Sequence, residues 1–298
     1  MAPDAIVDLH KKRDIGEIIN ATFGLLRLIY KNMVKDILLI TGPFFILGGV
    51  FSALNQFNST FSGVQRGLSL SDKMSQIFSP QYFLSLLCIL LGWSIAYCII
   101  GNHVLQYSIS KGPNYDKDAA RNTLGKDFWR VLGANFVVGL VAVLGCFLFL
   151  IPGIYIAVAN SLTAIILILN KEIGIGQAMG ESRRLIKDNW WKSLGLGFVM
   201  AFIVGAISMI FTIPVLIYTA IISFHSVRGG DVEQYRLIYT IITAISQIGS
   251  ALISPVTVVG SAIYYYSLKE EKDQGSLMAK IDSIGNQQPE KKENEGSY

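Results

Sequence analysis

Six stretches of this chain are too long and too apolar for a soluble fold to bury: residues 37–54, 82–108, 131–150, 153–170, 194–224 and 237–268 contain no Lys, Arg, Asp or Glu. A hydrocarbon core about 30 Å thick asks for about 20 apolar residues per helix, because backbone polar groups there must be satisfied within the segment itself. The pattern predicts an all-α polytopic membrane protein, a bundle of six transmembrane helices. Composition agrees, since 52% hydrophobic and 15% charged residues leave too little polar surface for a soluble body of 298 residues.

Alternate connections differ sharply in charge. The N-terminal segment, the second-to-third connection, the fourth-to-fifth connection and the tail together hold 21 of the 25 Lys and Arg. Only Arg66, Lys73, Arg228 and Arg236 fall on the other side. Cations in short loops stay on the cytoplasmic side, so both termini are expected in the cytoplasm, with the protein in the inner (cytoplasmic) membrane. The net charge of +4 is therefore not a nucleic-acid signal. Cations beside spans attract anionic headgroups at about 1 kcal/mol each. Membrane lipids are the expected partners, together with another membrane or cytoplasmic protein. Cys88, Cys98 and Cys146 lie within spans, are odd in number and lack metal spacing, which makes them apolar fillers. No cofactor or metal is expected. The region after Lys11-Lys12-Arg13 is amphipathic and lacks a small-residue cleavage site, so the first span is expected to direct insertion.

The spans group into three units, about 13–110, 115–170 and 173–268, followed by a polar tail over 269–298 that is expected to lack structure. Each unit begins on the basic side, and the first and third open with an amphipathic segment. Ile15, Ile18, Ile19, Thr22, Phe23, Leu26 and Ile29 share one helical face; Ile175, Ala178, Met179, Ser182, Leu185 and Ile186 share another. These predict up to three cytoplasmic helices lying in the interface plane. A shift of 157 places Ala21, Arg27, Leu28, Ile29, Asn32 and Lys35 on Ala178, Arg184, Leu185, Ile186, Asn189 and Lys192. A shift of 62 places Phe128-Trp129-Arg130 on Trp190-Trp191-Lys192. The economical reading is a threefold parallel repeat. Leu150-Ile151-Pro152-Gly153 reads as a tight turn between the third and fourth spans. The outer connection 55–81 reads as a loop, with a short helix over 70–78 capped by Ser69 or Ser71.

Polar groups at membrane depth are costly and are the first place to look for function. His103 is expected to serve a helix end or the interface, and Asn160 and Gln247 to hydrogen-bond across helices. Pro43, Pro214 and Pro255 are expected kinks, each removing a backbone donor. Ser193, Gly197, Ala201 and Gly205 recur every fourth residue, as do Ser246, Ser250 and Ser254, which predicts two smooth faces packed together. Arg183, Arg184, Lys187 and Lys192 gather beside Trp190 and Trp191, a combination that either anchors helices at headgroup depth or binds a lipid phosphate. Phosphate loops, nucleophile elbows and paired metal-spaced His are absent from the sequence, so no enzymatic activity is expected.

Ile151-Pro152-Gly153-Ile154-Tyr155-Ile156, Asn170-Lys171-Glu172, Ala178, Ser182 and Asn189-Trp190-Trp191-Lys192 resemble the membrane domain attached to some glycerophosphoryl diester phosphodiesterases. Related six-span chains stand alone in bacteria. The resemblance covers about 13–268 and lacks the catalytic barrel, so it implies no hydrolysis. It implies a non-enzymatic module that binds lipid headgroups or a partner in envelope or phospholipid homeostasis. The alternative is a permease for a small uncharged or zwitterionic solute, for which the three prolines would open the helices.

Overall fold

The structure, a computed structural model, describes residues 6–66 and 78–285. Among these residues there are helices and no strands, and six helical segments are long and apolar enough to cross a membrane. The chain is a multi-pass helical membrane protein.

Helix α1 (Ile15–Asp36) starts where the Asp14 N–H donates to the Glu17 carboxylate at 3.2 Å, one arm of a capping box. It is continuous with the first span. A single π turn, Ile37–Thr41, joins it to α2 (Gly42–Arg66), and Pro43 follows that turn directly. A proline cannot donate to the carbonyl one turn back, and the π turn re-registers the ladder, with the Gly42 N–H and the Thr41 hydroxyl both reaching Ile37 O. Because α2 runs to Arg66, the first part of the expected outer loop is helix. The expected short helix lies outside the described residues except for Phe78.

Helix α3 (Pro80–Ser110) is capped by Ser79, whose hydroxyl accepts the Tyr82 N–H at 3.2 Å. A short α4 (Lys117–Asn122) leads into α5 (Leu124–Leu148). The turn after α5 is the single extended residue Phe149, so Pro152 sits in the first turn of α6 (Leu150–Ala159), where its missing donor costs nothing. The expected Leu150–Gly153 turn is thus displaced to Phe149. The fourth span is interrupted: Asn160, Ser161 and Leu162 separate α6 from α7 (Thr163–Leu169).

Helix α8 (Ile175–Ile186) precedes α9 (Trp190–Val227) and α10 (Arg236–Gly285). Both long helices contain their prolines without interruption. At Pro255 the carbonyl left unpaired one turn earlier, Ala251 O, accepts the Ser254 hydroxyl at 2.7 Å. The tail does not lose structure at residue 269, since α10 continues to Gly285. Its first polar turn is held by ion pairs, Lys12 to Glu271 at 2.9 Å and Lys272 to Asp188.

Helix α10 is the central post, packed on α1, α2, α3 and α9. The main core joins α1, α3, α7, α8 and α10 through Ile18, Leu25, Ile29, Ile99, Ile165, Leu185 and Val259, all buried to 1% exposure or less. The apolar face of α1 is therefore covered by protein, not laid against an interface plane. In their caps and buried positions α1 and α8 correspond at a shift of 160: Asp14 and Glu17 answer Gly174 and Gln177, and buried Ile18, Thr22, Leu25 and Leu26 answer buried Ala178, Ser182, Leu185 and Ile186. The sequence echo at 157 is rotated from this by three residues, most of a turn.

Helix α9 departs most from expectation. Its smooth stripe meets α10 only at its start, where Ser193 bonds the Tyr264 hydroxyl at 2.7 Å; a Cβ built at Gly197 or Gly205 meets no atom within 4 Å. The two helices instead interlock large against small, with Met200 seated on Gly260 and the Phe211 ring on Gly249. Ridges of this kind bring helices close without matching small faces.

Candidate functional site

Four connections converge on the basic end, and their charges pair to a degree the sequence did not reveal. At the end of α1, Asp36 is 2% exposed and accepts from Arg121 Nε at 2.9 and 3.0 Å and from His103 Nε2 at 3.1 Å. A carboxylate can only accept, so Nε2 carries the proton and Nδ1 accepts from the Tyr115 hydroxyl at 2.8 Å. Burial pushes the Tyr115 hydroxyl up to about 12, which keeps it protonated as that role requires. His103 is thus inside α3 and fully partnered, not at a helix end. Its neighbour Asn102 anchors a second cluster, donating to Asp127 Oδ2 at 3.0 Å while Lys171 Nζ donates to Asn102 Oδ1 and Asp127 Oδ2 at 3.0 and 2.8 Å. Charges this deeply placed are tolerated only when paired and hydrogen-bonded. Two successive residues of α3 therefore tie the first unit to the second.

The candidate ligand site lies elsewhere, between α6 and α8. A cavity of about 480 Å³ is lined by Tyr155, Asn160, Gly180, Arg183, Lys187 and Trp190, among others including Arg184. Asn160 is in place because the break between α6 and α7 turns it toward α8, where its Oδ1 accepts Arg183 Nε at 3.1 Å. The Ser182 hydroxyl bonds Ala159 O at 2.8 Å and receives the Leu162 N–H at 3.3 Å, which pins α8 against the same break. Trp190 stacks on Tyr155 with ring centroids 5.6 Å apart and 21° between planes.

The six residues singled out from the sequence divide. Arg183, Lys187 and Trp190 line the cavity with their cationic and aromatic groups. Arg184 also lines it, but its guanidinium is paired with Glu181 at 2.7 and 2.8 Å. Lys192 is elsewhere, donating to Arg13 O at 3.1 Å with Glu271 at 4.0 Å. Trp191 is 78% exposed and touches Trp190 edge-on, ring centroids 4.8 Å apart. No carboxylate lines the cavity, and the Nε1 donor of Trp190, one of its lining residues, is buried without a hydrogen-bond partner. Asn160 and Tyr155 belong to the site and were legible only as a span polar residue and a motif residue. Gln247 packs on α2, 3.2 Å from a Cβ built at Gly49. Among the described residues no three His, Cys, Asp or Glu come together as a metal site requires.

The fold and this basic pocket define a six-span helical membrane protein with a cation-lined recess on one end. Comparison with protein-family models, with curated proteins and with solved structures returned no match.

Proposed function

We propose that this protein is a non-enzymatic membrane module whose α6–α8 pocket binds an anionic lipid headgroup, with its basic end and both termini on the cytoplasmic side of the inner membrane. The observation that carries the reading is the meeting of Arg183 and Lys187 in one recess with no lining carboxylate. A phosphate there would take a charge-assisted bond from the free face of Arg183 and the point charge of Lys187. The unmet Trp190 donor, a deficit of about 1–3 kcal/mol for a buried polar group, would gain an acceptor. Tyr155 and Trp190 supply the aromatic wall that sits naturally at headgroup depth. The resemblance to the membrane domain of glycerophosphoryl diester phosphodiesterases supports the same class of ligand, and a role in envelope or phospholipid homeostasis follows from it. The permease reading is weaker. A cleft of about 570 Å³ between α6, α9 and α10 has no charged lining residue, and the residues whose carbonyls the prolines unpair, Leu39, Ile210 and Ala251, are not among its walls.

Native mass spectrometry of gently purified protein tests the reading. Wild type is expected to retain an anionic phospholipid or phosphodiester that Arg183→Ala/Lys187→Ala loses and Trp190→Phe weakens. The same lipids on all three forms would remove the basic pocket as a ligand site.

A further inference from the structure

On the opposite face of α6 from the basic pocket, a second and larger cleft of about 570 Å³ lies between the α6–α7 break, α9 and α10. Its volume falls within the range of about 300–1,000 Å³ that small-molecule sites occupy. We infer that this cleft holds one acyl chain of a membrane phospholipid.

Four observations carry the assignment. First, no charged side chain lines the cleft; Val158, Leu196, Met200, Ala201 and Val204 dominate it. Second, several of its hydroxyls already have partners: Ser193 bonds Tyr264 at 2.7 Å and Ser261 bonds Thr257 O at 2.9 Å. A polar solute would have to break these bonds, whereas a methylene chain needs none of them. Third, the smooth stripe of α9 forms one wall and is uncovered by protein, since nothing stands within 4 Å of a Cβ at Gly197 and both Gly197 and Ala201 are exposed. Fourth, α9 and α10 are both long and apolar enough to cross a membrane, so the medium at this face is hydrocarbon. An unfilled recess there forfeits dispersion contacts on its whole lining, and the acyl chain is the one species the surroundings supply in bulk. The break at Asn160–Leu162 makes the space, because a straight fourth span would keep α6 and α7 in line along this wall.

The cleft stands independently of the basic pocket, and one experiment separates the two. Purified full-length protein in nanodiscs of phosphatidylethanolamine and phosphatidylglycerol would receive a phospholipid bearing a diazirine at the end of one acyl chain, with labelled residues mapped by mass spectrometry. Labelling is expected to concentrate on Met200, Val204 and Val158, above that on Phe202 and Ile210, which face outward on α9. Gly197→Leu and Ala201→Leu, each filling open space, should abolish the cleft label and leave the Phe202 label and the melting temperature unchanged. Arg183→Ala/Lys187→Ala should leave the cleft label in place even where it strips the anionic headgroup. Cleft labelling no denser than at Phe202, or unaltered by either filling variant, would overturn the assignment. So would a Gly197→Cys chain that cross-links efficiently to a second copy, which would make this wall a protein interface.

Discussion

The two sides of this bundle are held by different forces. Around α1, α3, α7, α8 and α10 the protein is packed like a soluble domain, with Ile18, Leu25, Ile29, Met33 and Val104 fully buried and two charged clusters built on the buried carboxylates of Asp36 and Asp127 beside them. On the α5–α6 and α9 side it is open: Phe147, Ile151 and Phe202 are 87, 81 and 78% exposed. The most apolar stretch of the segment containing α9 is 6% buried and that of α5 17%, against 39% in the segments containing α1, α3 and α10. The first side can be ordered by protein contacts alone. The second leaves its apolar side chains without a protein neighbour.

The comparison breaks most severely if the charged clusters are not what fixes the packed side. Asp36→Ala takes away the acceptor shared by His103 and Arg121, leaving a buried imidazole without its partner. Removing one member of a buried pair costs about 3–5 kcal/mol, and the lower end applies because Arg121 is 45% exposed and can rehydrate. The unfolding midpoint in mild detergent should fall far below wild type, with Asp36→Asn intermediate. A midpoint equal to wild type for Asp36→Ala would place the stability of this side in its apolar core alone.

A smaller effect is expected at the α5–α6 hairpin, the most tightly built feature of the open side. A Cβ at Gly153 would collide with the backbone of Cys146, which cannot withdraw as a flexible side chain could. Gly153→Ala should cost about 1–3 kcal/mol, the usual range for overpacking. It should also reduce ligand retention at the α6–α8 pocket, since α6 carries Tyr155 and Asn160. Gly139, on the facing helix α5 and with open space at its Cβ, supplies the control: Gly139→Ala should leave both unchanged.

What the sequence disclosed follows the same division. The six spans were legible because the bilayer imposes a one-dimensional rule, an uncharged run of sufficient length, and all six appear as helices of that kind. The convergence of basic connections on one end was legible for the same reason. The clusters on Asn102 and His103 were not, because Asp36, Asp127 and Lys171 sit just outside the apolar runs and look like ordinary flanking charges until folding brings residues 67 and 44 positions apart into contact. Arg183, Lys187 and Trp190 could be found as a cation–aromatic group. The pairing of Arg184 with Glu181 is an i,i+3 contact that helical periodicity allows, whereas the engagement of Lys192 by the Arg13 carbonyl, 179 positions away, has no trace in the local sequence. The small-residue stripe makes its expected α9–α10 contact at Ser193 and loses it at Gly197 and Gly205, because smoothness permits close approach without specifying a neighbour.

The smallest expected effect is also the sharpest test of how open the α9 side is. Had the stripe packed on α10, Gly205→Leu would force the helices apart. The structure puts no atom within 4 Å of a Cβ there, so the substitution should add apolar surface facing hydrocarbon and exchange a weak helix former for a strong one. Its effect should stay within about 0.5 kcal/mol, as for substitutions away from packed features, and yield and melting should match wild type. Gly249→Leu, on the helix that does make the contact, should be severe, because Phe211 covers that position. Equal damage from both would mean that α9 has a protein neighbour along the stripe, and the open side would then be a contact surface awaiting its partner.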